Sequence, residues 1–169
     1  MIQSPSTHLT REQPRRQRLP LPDYDYAQAG AYSVTICTRG QTCLLGGGND
    51  GEILPNNAGE TVTRCWEEIP QHFPYVELDG FVVMPNHVHG VLLFGERELA
   101  GEPARAGHAR PLRVVVGAFR SAVSRRQGAV WQRSYWERIV RTAEELDHIR
   151  AYIEDNPLRW PANPAFSHP

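Results

Sequence analysis

The chain contains no lysine; all 18 of its basic residues are arginine. It has only three cysteines, Cys37, Cys43 and Cys65, an odd number without a close metal-type pair. A disulfide framework and a zinc finger are thereby excluded, and structural thiols in a reducing compartment are expected. No stretch approaches the roughly 20 apolar residues that cross a bilayer. The N-terminus is polar and has no apolar signal core. A cytoplasmic protein with no membrane partner is the expectation. An excess of positive charge is missing as well: 18 basic against 19 acidic residues leave a net charge of -1. At first sight that argues against nucleic acid as a partner.

What is present suffices for one ordinary globular domain, with 169 residues, 40% of them hydrophobic and 22% charged. The charge, however, is segregated. Residues 1–20 carry +3, residues 21–104 carry -9, residues 105–141 carry +8 and residues 142–169 carry -3. The third of these sections sets nine arginines against Glu137 alone. A balanced total thus conceals one strongly cationic segment.

Residues 1–20 are Arg-rich and interrupted by Pro5, Pro14 and Pro20, which predicts a mobile basic arm. Residues 21–160 read as one domain and 161–169 as a tail. Alternation of Tyr32, Val34 and Ile36 predicts a first strand opened by Gly30. GGGND at 46–50 reads as a loop. Ala58, Val62, Cys65, Trp66, Ile69 and Phe73 fall at helical spacing and predict one helix from Asn57 to Phe73. VELDGFVVM and HVHGVLLF, joined by the turn-like Pro85-Asn86, predict a hairpin at the centre of a sheet. Residues 95–110 read as an exposed loop. Leu112, Val115, Val116, Phe119, Ala122 and Val123 predict a second helix, and WQRSYWERIV a last strand. Thr142 and Glu145 form a capping box for a final helix with the core stripe Leu146, Ile149 and Ile153. Pro157 is expected to stop it. The order β-α-β-β-α-β-α, with no internal repeat, predicts an α+β fold: a ferredoxin-like antiparallel sheet with helices packed on it.

His87-Val88-His89 is the strongest local signal for chemistry. On a strand, residues i and i+2 share a face, so both imidazoles project together. They can supply two nitrogen ligands to a divalent metal and need a third group. Alone, His-x-His arises often by chance. Tyr152 lies on the flank of the last helix's apolar stripe, and Asn156 is one turn further along nearly the same side. Each is by itself an ordinary helix residue. Together they acquire meaning, because a phenol of pKa near ~10 needs help to act as a nucleophile at neutral pH. An ion held by two His and an amide can polarise a phosphodiester and align it for in-line attack. His148, one turn before Tyr152, is placed to assist proton transfer or simply to face solvent. On the substrate side, Arg113, Arg120, Arg125, Arg126 and Arg133 can neutralise a phosphate backbone. Trp131 and Tyr135 sit among them and can stack on unpaired bases.

FVVMPNHVHGVLLF, read with AYIEDNPLRW, closely resembles the HUH transposases that use a single catalytic tyrosine, and within them the REP-associated tyrosine transposases. LPDYDYAQAGAYSVTICTRG and VWQRSYWERIVRT also look like family segments, so the resemblance spans about residues 15–160. It implies a ferredoxin-like domain that nicks and rejoins single-stranded DNA beside a folded hairpin, with Mg2+ or Mn2+ as cofactor. His87 and His89 would be metal ligands and Tyr152 the nucleophile, leaving a 5′-phosphotyrosine and a free 3′ hydroxyl. Asn156 stands where some relatives use glutamine as a further ligand. Arg138 stands where relatives often have histidine. The arm around Arg15, Arg16 and Arg18 resembles the family's basic start and would grip the hairpin stem. Some relatives are dimers with composite sites. The REP-associated branch tends to monomers, and the short tail after Trp160 favours that state here. The competing reading is a domesticated hairpin-binding protein without turnover. A hydrolase unrelated to DNA is a third, which the arginine segment disfavours.

Overall fold

The computed structural model describes residues 30–49, 52–95 and 109–160. The elements run β1 (Ala31–Cys37), β2 (Gly46–Asn49), β3 (Glu52–Pro55), α1 (Asn57–Glu67) and α2 (Ile69–His72). They continue with β4 (Val76–Met84), β5 (His87–Phe94), α3 (Ala109–Gln127), β6 (Trp136–Val140) and α4 (Ala143–Arg159). Four strands make one antiparallel sheet in the order β4-β5-β1-β6. With helices packed on it, this is the expected α+β sandwich. The basic arm with Arg15, Arg16 and Arg18, most of the loop at 95–110 and the tail 161–169 lie outside the described residues.

Strand alternation sorts the core onto two faces. Tyr32, Val34, Ile36, Val88, Leu92 and Phe94 face α1 and α3, joining Val62, Trp66, Leu112, Val116 and Phe119 in one cluster. Ala31, Val91, Leu93 and Val140 face the other way and meet Leu146 and Ile153 of α4. His87 and His89 are in phase with Val91 and Leu93, so the histidine pair belongs to the α4 face. Gly90, in phase with the larger cluster, makes room for Trp66. A Cβ there would lie 2.4 Å from the Trp66 ring, which stacks on Phe81 at 4.5 Å and 9°.

Several expectations need correction. GGGND is not a loop throughout, because Gly46–Asn49 pairs with Glu52–Pro55 as a two-stranded hairpin. At Gly46 the backbone of Leu54 and Pro55 approaches so closely that only glycine fits. The single helix expected from Asn57 to Phe73 is broken at Glu68. Pro70 has no N–H for the Trp66 carbonyl, and a separate turn begins at Ile69. Of the hairpin at 76–94, only β5 is central and β4 is an edge strand. The last strand is confined to Trp136–Val140, with Trp131 forming an isolated bridge to Thr38. Pro157 does not stop α4, which runs on to Arg159. The αR conformation is disfavoured before proline, but packing of the final turn outweighs that local preference. Trp160 closes against Gly48 and lies 6.5 Å from the His87 ring. The N-terminal cap is as read: Thr142 Oγ1 accepts from Glu145 N at 3.1 Å.

Candidate active site

The two imidazoles stand edge to face, with ring centroids 5.1 Å apart. They are 1% and 4% exposed. Each is fixed through Nδ1. His89 Nδ1 lies 2.7 Å from Thr35 Oγ1, on the neighbouring strand directly opposite. His87 Nδ1 lies 2.7 Å from Asn86 Oδ1. With Nδ1 engaged in both rings, Nε2 is the nitrogen through which either would bind a metal.

α4 brings the remaining groups. The Tyr152 ring meets His89 edge-on at 5.3 Å, and two turns later Trp160 lies near His87. Asn156, one turn from each, shares the side of α4 that carries Tyr152 and Trp160. It is buried, and its Nδ2 has no hydrogen-bond partner among the described residues. Nδ2 is a donor, so only an acceptor can satisfy it, and of this side chain's atoms only Oδ1 can ligate a cation. Two imidazoles and a carboxamide oxygen form a mixed nitrogen–oxygen donor set that fits a divalent ion such as Mn2+. Among the described residues no three His, Cys, Asp or Glu side chains form such a group.

A largely buried ion pair anchors the helix that carries Tyr152. Arg150 Nε donates to Asp79 Oδ1 at 2.9 Å and Nη2 to Oδ2 at 2.6 Å. Asp79 sits where the β4–β5 register shifts, and its Oδ1 also accepts from Gly80 N at 2.6 Å. Ile153 enters the same irregularity, where a Cβ on Gly80 would come within 3.3 Å of its Cδ1. Beside Tyr152 a cleft of about 690 Å3 opens between α4 and β6, with His89, Arg138, Glu145 and His148 in its walls. His148 is exposed, and Arg138 pairs with Glu145 at 2.6 Å. Arg159 lies 5.6 Å from the Tyr152 ring centre.

The arginine segment is less concentrated in space than in sequence. α3 packs on the opposite face of the sheet from α4, so Arg113, Arg120, Arg125 and Arg126 are not grouped with the histidines. Arg113, Arg125 and Arg133 are exposed. Arg126 donates to Cys65 Sγ at 2.8 Å and approaches Glu68 at 3.5 Å, bracing α3 against α1. Arg120 is turned inward, donating to the Gln132 and Arg133 carbonyls. Burial lowers its pKa. Trp131 is buried against Phe119, and Tyr135 is half-buried. Burial, and then the Glu137 carboxylate, push the Tyr135 hydroxyl up to about 12. Of the residues singled out along the chain, His87, His89 and Tyr152 come together, and Asn156 lies buried one turn beyond Tyr152 on α4. Sequence reasoning missed Thr35, Asp79 and Arg150, whose partners are 54 and 71 residues away. No local pattern marks such pairs.

No family model matches the chain. An uncharacterized protein of Haemophilus influenzae (strain ATCC 51907 / DSM 11121 / KW20 / Rd) is 34% identical over 161 residues, spanning 86% of this chain and 89% of that one. A solved REP-associated tyrosine transposase bound to a REP hairpin is 18% identical and superposes with a TM-score of 0.53, covering 83% of this chain and 74% of that one. At that identity the likeness is one of fold. The chain thus belongs to the family of the Haemophilus influenzae protein, and it carries the transposase-like fold of the REP-associated tyrosine transposase.

Proposed function

We propose that the protein is a metal-dependent transesterase that nicks and rejoins single-stranded DNA next to hairpins, with Tyr152 as nucleophile. The observation that carries this reading is the approach of Tyr152, from α4, to the buried pair His87 and His89 of β5, with Asn156 buried one turn further along that helix. His87 and His89 through Nε2, and Asn156 through Oδ1, would hold Mg2+ or Mn2+. When bound, such an ion supplies charge stabilisation for a phosphodiester.

Tyr152 Oη would attack the phosphorus in line, and the bond from phosphorus to the 3′ oxygen would break. The phosphate stays on the tyrosine as a 5′-phosphotyrosine, and the 3′ hydroxyl leaves free. Rejoining is the reverse step and needs no hydrolysis. His148, in the wall of the cleft one turn before Tyr152, is placed to exchange a proton with solvent. Arg159 would place a cation beside the phosphate brought to the phenol.

Exposed Arg113, Arg125 and Arg133 would give sequence-independent backbone contacts and a salt-dependent affinity. Arg120 and Trp131 serve the fold in this reading, since both are engaged within it. The transposase whose fold it shares is bound to a REP hairpin, which supports a hairpin as the DNA partner here.

The test uses single-stranded oligonucleotides that carry varied hairpins, incubated with Mn2+ and run on denaturing gels. A covalent protein–DNA adduct is expected with the wild type and not with Tyr152→Phe. If a broad hairpin panel gives no such adduct, the catalytic reading is refuted. Salt-sensitive binding without an adduct would then leave a hairpin-binding protein.

A further inference from the structure

We infer that Asn86 is a positioning residue that fixes the tautomer of His87, and that it is set in turn by the strained turn at Gly40–Gln41. Asn86 Nδ2 donates to the Gln41 carbonyl at 3.2 Å. A carbonyl only accepts, so the NH2 end of the amide must face Gln41 and the oxygen must face His87. Asn86 Oδ1 lies 2.7 Å from His87 Nδ1, and an amide oxygen also only accepts. His87 therefore carries a proton on Nδ1, and in the neutral ring the lone pair is on Nε2. A metal ligand needs that arrangement, because ligation requires an unprotonated nitrogen whose partner nitrogen is anchored.

The contact at His89 differs in kind. Thr35 Oγ1 can either give or take a hydrogen bond, so at 2.7 Å it orients the ring without dictating the tautomer.

The turn that presents the Gln41 carbonyl is costly and braced. Gln41 has φ of 53°, and Gly40 before it has φ of 64°. A non-glycine residue in the left-handed region costs of order 1–3 kcal/mol and persists only where its surroundings impose it. Here they do. Thr38 N donates to the Asn86 carbonyl at 2.9 Å, and the one Thr38 hydroxyl proton lies between the Thr42 carbonyl at 2.6 Å and the Asn86 carbonyl at 2.9 Å. Leu45 N donates to the Pro85 carbonyl at 2.9 Å. The segment after β1 is thus strapped to the β4–β5 turn, with Asn86 3% exposed between them. The chain of control runs from the Gln41 carbonyl to the Asn86 amide to the His87 proton.

This inference rests on the reading of His87 as a ligand, but its central claim is separable from it. The full-length protein, labelled with 15N in its histidines and free of metal, would be examined by long-range 1H–15N NMR. His87 is expected as the Nδ1–H form, and in Asn86→Leu that preference is expected to disappear. The His89 signals, set by Thr35, should stay in place and report an intact fold.

Mn2+ titration followed by EPR supplies the second readout. Affinity should fall roughly 10–100-fold in Asn86→Leu, as for other outer-shell partners of ligating histidines. Asn86→Asp keeps an acceptor for Nδ1–H and should recover most of it. A wild-type His87 protonated on Nε2 overturns the inference, and that measurement needs no variant to fold. Equal Mn2+ affinity in Asn86→Leu and wild type would also overturn it. Nδ1–H in wild type, with no Mn2+ bound by any form, would uphold the tautomer and sink the metal reading instead.

Discussion

Replacing Arg150 by methionine should uncouple α4 from the sheet, and the size of the effect can be worked from the contacts. The Asp79 side chain is 6% exposed and that of Arg150 18%, and the guanidinium meets the carboxylate through two hydrogen bonds. Removal of one partner from a buried pair leaves a charge without compensation and costs about 3–5 kcal/mol. The second contact of Arg150, to Asp147 at 2.9 Å, is exposed on the acid's side and adds at most about 1 kcal/mol. A domain of this length loses roughly 2–4 °C in Tm per kcal/mol, so a fall of about 6–24 °C is expected. The control is Asp79→Asn combined with Arg150→Met. It removes the buried charge but keeps an acceptor for Gly80 N, so it should be more stable than Arg150→Met alone. Urea denaturation of the wild type, both single variants and the double variant gives the coupling energy directly. A loss below about 1 kcal/mol for Arg150→Met would refute the claim, since exposed pairs already reach that value. Because Tyr152 is only two residues beyond Arg150, adduct formation should fall at temperatures where the variant is still folded.

Two further predictions follow from packing and from burial. Gly90→Val should destabilise the protein by about 1–3 kcal/mol or prevent folding, because its Cβ would meet the Trp66 ring at 2.4 Å. Thermal unfolding checks this, and the paired variant with Trp66→Leu should recover stability if the clash is the cause. Burial pushes the Cys37 thiol up to about 11, whereas Cys43 is exposed. Alkylation by iodoacetamide near pH 8, mapped by mass spectrometry, should therefore modify Cys43 long before Cys37. The folded value is the raised one, so the neutral thiol's contribution to stability is complete below the ordinary thiol value of roughly 8.5. It is lost as pH rises through about 11. Cys37→Ala should flatten the alkaline limb of the stability profile, and an unchanged limb would count against the assignment.

Much of the site was legible along the chain because it is built from short-range regularities. Alternation on a strand put His87 and His89 on one side, and helical phase put Tyr152 and Asn156 on another. Thr142 announced the start of α4. Local rules failed where a distant contact outweighed them. Pro157 should have ended the last helix, yet Trp160 continues it to close beside His87. Gly-rich 46–50 should have been a loop, yet Gly46–Asn49 pairs with Glu52–Pro55.

The amino-acid sequence by itself determined the approximate positions of the four main strands, the helix phases and the identity of the candidate chemical groups, since these follow from spacing and side-chain type. Its balanced charge and its cationic segment were legible too. Tertiary structure alone decided that α3 and its arginines lie across the sheet from Tyr152. It also decided that Arg120 is spent on backbone carbonyls and that Trp131 fills the core. The reason is that charge along a chain is one-dimensional, whereas the field at a site depends on which face each helix covers. The same holds for Thr35 beside His89, Asn86 under Gln41 and Arg150 on Asp79. Each is a hydrogen bond between segments that only the folded chain brings within 3.2 Å.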